Sequence, residues 1–163
     1  MSSDCTNKGV KNLLVDQIKM RSFSVHVDDS IELEDIEEEH LEFTQIMRHT
    51  GTIRELVIDN EEEEQDSDVP PYMYKFYVSL GIRSLYADDA EKEPTDESIE
   101  AIMEIKAEYT IQYRSKCSLS QEECFEFAES HVYFHAWPYF REFVQSSCAR
   151  LDVAVIPLPP YRV

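Results

Sequence analysis

The stretch Tyr72-Met73-Tyr74-Lys75-Phe76-Tyr77-Val78-Ser79-Leu80-Gly81-Ile82-Arg83 decides the fold. Its even positions, from Tyr72 to Ile82, are all apolar or aromatic; its odd positions are mostly polar or small. A period of two sustained over about twelve residues predicts a long strand with one buried face. Pro70-Pro71 stands just before it and stops the preceding chain from invading the strand.

Downstream, Ala101 to Arg114 repeats the pattern, with Met103, Ile105, Ala107, Tyr109, Ile111 and Tyr113 on one face. Between the two lies Ala87 to Ser98, rich in Asp and Glu and carrying Pro94, which reads as a polar hairpin loop. Two long strands joined in this way form an antiparallel pair. Upstream, Phe23, Val25 and Val27 alternate with polar residues and continue a pattern begun near Ile18 and Met20. The phase slips between Met20 and Phe23, which predicts a bulge. Phe43 to Ile58 reads as a further strand, because its Thr, Ile and Val content favours one and Gly51 opposes a long helix.

The last third changes period. Ser120-x-x-Glu123 is a capping box, and Cys124, Phe127, Ala128, His131, Val132 and His135 follow at helical spacing. Pro138 is expected to end this helix near Trp137 and to open a second one running to Leu151. The segment Ala154 to Tyr161 is apolar, but its three prolines bar it from a helix or an inner strand. The predicted class is α+β, a four-stranded antiparallel sheet followed by C-terminal helices packed on one face. A single domain spans 1–163, with acidic loops at about 28–42 and 60–71, helices at about 120–151 and an apolar linker at 153–163.

The chain carries 15 Lys and Arg against 34 Asp and Glu, a net charge of −19. Seventeen of those acids fall between Asp28 and Asp68, densest at Glu37-Glu38-Glu39 and Glu61-Glu62-Glu63-Glu64. Such a balance opposes non-specific nucleic-acid binding and docking on anionic lipid, both of which need cations. The first residues show neither the basic nor the apolar region of a signal peptide, and no apolar run approaches the ~20 residues of a membrane span. The expected compartment is cytoplasmic, where Cys5, Cys117, Cys124 and Cys148 would be four reduced thiols.

Chemistry is sparsely signalled. His131 and His135 are four apart on a helix, but no Glu lies among Val132, Tyr133 and Phe134 between them, and a third ligand would have to come from Glu129 or elsewhere. With only three glycines there is no phosphate-cradling loop. The acidic clusters have no apolar neighbours to raise their pKa values. No catalytic residue, metal or cofactor is expected. Aromatics say more. Phe125, Phe127, Tyr133, Phe134, Trp137, Tyr139, Phe140 and Phe143 point in several directions around a helix axis, so some must meet more than the domain's own sheet.

Trp137-Pro138-Tyr139-Phe140-Arg141-Glu142-Phe143-Val144, Ala149-Arg150-Leu151 and Ile156-Pro157-Leu158-Pro159 resemble the Pro-Tyr-x-Arg-Glu helix and following apolar linker of the SecB export-chaperone family. The similarity covers about residues 118–160, and the strands match in order and pattern. The resemblance implies an ATP-independent holdase that binds unfolded polypeptide in apolar grooves and assembles as a homotetramer, a dimer of dimers. It implies a client groove at Trp137, Tyr139, Phe140, Phe143, Ile156, Leu158 and Tyr161. It also implies an oligomer interface at Pro138, Arg141, Glu142, Gln145 and Cys148. The export chaperones continue into a second C-terminal helix and a tail that helps engage SecA, whereas this sequence stops at Tyr161-Arg162-Val163. That end looks more like the SecB-like chaperones of toxin–antitoxin systems, so the expected client is an antitoxin. General preprotein export through SecA is the alternative. An acidic DNA mimic that blocks a nucleic-acid-binding protein is a reading from another class.

Overall fold

The computed structural model describes residues 13–58 and 69–162; Cys5 and the acidic run Glu61–Asp68 lie outside the described residues. Four long strands make the sheet: β1 (Leu13–Val27), β2 (Thr44–Val57), β3 (Tyr72–Leu85) and β4 (Ala101–Ser115). All pairings are antiparallel, in the order β1-β4-β3-β2. Consecutive strands β2, β3 and β4 form a meander, while β1 adds beside β4 at the far edge. The segment from Asp28 to Phe43 therefore crosses from one edge of the sheet to the other. Its acidic residues ride on two short 3-10 turns, and Ile36 and Leu41 anchor it by entering the core.

Register explains which strand positions are inside. Tyr74, Phe76, Val78, Leu80 and Ile82 on β3 lie opposite Tyr113, Ile111, Tyr109, Ala107 and Ile105 on β4, and all ten are buried. The predicted phase slip on β1 is present as a register shift between Met20 and Ser22, with another between Val15 and Gln17. On β2 the shift falls between Thr50 and Ile53, where Gly51 runs close to β3. A Cβ there would stand 3.2 Å from the backbone oxygen of Tyr77. That contact is tight enough to make glycine the residue that fits.

The helical third differs from expectation at one point. Helix α1 (Gln121–Phe127) begins on Ser120, with the predicted capping box formed on both sides. It leads through a π turn at Ala128–Val132 directly into helix α2 (Tyr133–Leu151), and Pro138 lies inside α2 instead of dividing two helices. Proline removes a backbone donor and crowds the carbonyl four residues earlier. That carbonyl belongs to Phe134, and both residues sit on the exposed side of the helix, where water can serve the unpaired group. Asp152 closes α2 in the left-handed region, at φ 57°.

Cysteine chemistry also departs from expectation. Cys117 is disulfide-bonded, while Cys124 and Cys148 are free and buried. The expectation of four thiols rested on an inferred compartment, and spacing along a chain does not report which cysteines a fold brings together. Burial, with Glu55 and Glu123 adding to it, pushes the Cys124 thiol up to about 11, so it behaves as an apolar core group. Among the described residues, no helix is long and apolar enough to cross a membrane.

Candidate functional site

Helix α2 lies over the middle of the sheet and packs chiefly against β4. Phe140, Val144 and Ala136 are fully buried beneath it. Trp137 and Phe143 flank that row and are 4% and 8% exposed. Phe127 fills the space between helix and sheet at the other end, edge-on to Tyr113 at 4.8 Å and tilted against Phe76 at 5.8 Å.

The extended tail after Asp152 folds back onto this helix. Ile156 and Leu158 are buried, and the Trp137 indole N–H donates to the Pro159 carbonyl at 2.7 Å. Tyr161 packs against Trp137 with ring centroids 5.6 Å apart. Its hydroxyl accepts from Arg48 of β2, which also pairs with Glu129 at 3.2 Å and lies over the Tyr133 ring. The tail is thus held at both ends, by apolar anchors at its start and by a polar latch at its tip.

The residues expected to form a client groove fall into two groups. Trp137, Phe140, Phe143, Ile156 and Leu158 are buried by the chain itself. Tyr139 is 52% exposed and Tyr161 is half-buried. Of the residues expected at an oligomer interface, Pro138, Glu142 and Gln145 share the exposed side of α2, Arg141 is half-buried and Cys148 is buried.

Sequence reasoning missed an exposed apolar strip on β1. Val15, Met20, Phe23 and Val25 of β1 stand on the helix side of the sheet, opposite Tyr113, Tyr109, Ala107 and Ile105. α2 does not extend over them, so all four are exposed, Phe23 by 64%. The Phe23 ring meets Phe143 edge-on at 5.3 Å, which joins this strip to the flank of the helix that also carries Tyr139, one turn earlier. A second exposed pair, Phe125 and Phe134, lies on the outer side of the helices. Phe23 and Val25 were visible as alternating apolar residues. What alternation cannot report is that their strand lies at an edge, beyond the helix.

The two histidines point to different partners. His131 stacks on Phe127 and bonds to the Ser130 hydroxyl, while His135 Nδ1 meets the Tyr113 hydroxyl at 2.8 Å. Burial, helped by the charge of His131, lowers the pKa of His135 and favours its neutral form. Tyr109 is the one described residue with a buried side-chain polar atom lacking any hydrogen-bond partner. Burial, with Glu142 nearby, raises its phenol well above the usual range. Replacing Tyr109 with phenylalanine removes an unsatisfied hydroxyl and is expected to stabilise the fold by about 1 kcal/mol. Chemical denaturation of the two proteins reads this as a higher midpoint at unchanged slope.

No protein-family model matches the sequence, and no curated protein matches it. Among solved structures, the fold matches the SecB-like chaperone Rv1957 of Mycobacterium tuberculosis, solved in complex with a peptide from the HigA1 antitoxin. The TM-score is 0.58 over 94% of this chain and 90% of that one, at 11% sequence identity. The chain therefore has the fold of a SecB-like chaperone: a four-stranded antiparallel sheet followed by a C-terminal helix.

Proposed function

We propose that this chain is an ATP-independent holdase whose client is an antitoxin-type polypeptide. The observation that carries the reading is the uncovered apolar surface running from Met20, Phe23 and Val25 of β1 across Phe143 to Tyr139. A folded chain of net charge −19 has no solubility reason to keep such a strip, and exposed apolar surface of this kind marks a site for another polypeptide. The surrounding charge keeps loaded complexes apart, which a holdase needs. Likeness of fold to a chaperone solved with an antitoxin peptide supports the choice of client.

Part of the same surface serves self-assembly in this reading. β1 is an edge strand with an apolar face, and the outer side of α2 presents Pro138, Arg141, Glu142 and Gln145. A homotetramer built as a dimer of dimers would cover part of each and leave the rest of the strip in an apolar groove between subunits, edged by Tyr139 and Tyr161.

The test is light scattering of a chemically unfolded client diluted into buffer with this protein, at low and at high salt. Suppression near stoichiometric ratios that persists at high salt is expected, because apolar capture is not screened. Suppression lost as salt rises would instead mark ionic capture and overturn the apolar reading.

A further inference from the structure

The face of the sheet turned away from the helices has a charge opposite to that of the whole chain. Lys19, Arg21, Arg54, Lys75, Arg83, Lys106 and Arg114 lie on it, against Asp16, Glu104 and Glu108. Lys106 pairs with Glu104 at 2.7 Å, Arg114 with Asp16 at 3.6 Å, and Arg83 is bonded to Gln45 and to the Pro94 carbonyl. Glu108 accepts from the Ser22 hydroxyl at 2.6 Å.

That leaves Lys19, Arg21, Arg54 and Lys75, which make no ion pair among the described residues. They surround one spot. Arg21 and Arg54 both lie over the ring of Tyr77, at 5.1 and 5.4 Å from its centroid. Arg54 stands directly opposite Lys75 across β2 and β3, and Lys19 opposite Thr110, the neighbour of Tyr77. Like charges directly opposed across strands are destabilising. A chain with more than twice as many acids as bases had carboxylates to spare for these positions. The cluster is intelligible when an anion from outside the fold completes it.

We propose that this open face, at Lys19, Arg21, Arg54 and Lys75 around Tyr77, docks a carboxylate-rich segment of a partner polypeptide. Charge complementarity argues for an acidic partner, and geometry for an extended chain. Rows on the sheet repeat every second residue, about 6.6 Å, which is the spacing of alternate side chains along an extended peptide. Guanidinium groups match carboxylates in a planar, two-point geometry. Single-stranded nucleic acid is the poorer fit. It binds by stacking bases on free aromatic rings, and the Tyr77 ring is already covered by two guanidinium groups. This face is the reverse of the one that carries the apolar strip, so the site is independent of the proposed client surface.

The test is fluorescence anisotropy of a labelled ten-residue peptide alternating glutamate and serine, at low ionic strength. The comparison is between the native chain and the double variant Arg54→Ala, Lys75→Ala, with an oligothymidylate of equal charge as the competing probe. The native chain is expected to bind the peptide. The double variant should bind it at least about tenfold more weakly, since it loses two charge-assisted contacts. The variant should melt no lower than the native chain and suppress client scattering equally well, so failure of the holdase reading and failure of this one are separable. No binding of the peptide, equal binding by the variant, or preference for the oligothymidylate would each overturn the proposal.

Discussion

Replacing Trp137 with alanine is expected to lower the melting temperature by roughly 6–20 °C. The indole is 4% exposed, packed on Phe140 and Tyr161, and hydrogen-bonded to the tail at Pro159. Removing a buried aromatic costs about 3–5 kcal/mol, and each kcal/mol moves the midpoint of a domain of this size by about 2–4 °C. Trp137→Phe keeps most of the volume and loses the hydrogen bond, so a smaller fall, of about 1–2 kcal/mol, is expected. Calorimetry on the three proteins separates the two contributions. Limited proteolysis adds a second reading, because loss of the indole frees the carbonyl at Pro159 and the Tyr161 contact, and cleavage within 153–162 should quicken. A Trp137→Ala protein that melts like the native chain yet no longer holds client would show the ring to be client surface and not core.

The same residue shows where sequence was informative and where it stopped. A tryptophan among seven other aromatics on a helix reads equally as core, groove or interface, and nothing in its own neighbourhood chooses. The choice is made by Ile156, Leu158 and Tyr161, which lie about twenty residues away and return to cover it. The strands were legible because a period of two is a local signal, and the register shift after Met20 was legible as a slip in that period. Pro138 misled because the rule against proline in a helix ignores which side of the helix faces water. Cys117 misled because a disulfide is a property of space and not of spacing. The basic face was hidden for a similar reason. Lys19, Arg21, Arg54 and Lys75 come from three strands, each looked like an ordinary solvated charge, and only the order β1-β4-β3-β2 gathers them around Tyr77.

Placing a charge at Phe23 is expected to break the proposed assembly while leaving the fold largely intact. Phe23 is 64% exposed, and its one aromatic contact is the edge-on meeting with Phe143. Most of its surface is already in water within a single chain, so Phe23→Asp should cost the fold only about 1 kcal/mol, from that contact and from strand propensity. At a subunit interface the same change removes an aromatic anchor and buries an unpaired carboxylate. That costs at least about 2 kcal/mol, or roughly 30-fold in the association constant. Sedimentation at micromolar concentration should show the native chain assembled and Phe23→Asp shifted towards the mass of one subunit, with client suppression falling in parallel. Leu14→Asp is the matched control. Leu14 lies on the same strand and is 61% exposed, but its register partner is Arg114, on the opposite face of the sheet. If only Phe23→Asp dissociates the protein, the helix-side strip of β1 is the contact. If both variants dissociate it, the strand edge is the contact and its faces are secondary. If neither does, the strip is not an interface, and the proposed assembly would have to rest on the outer side of α2.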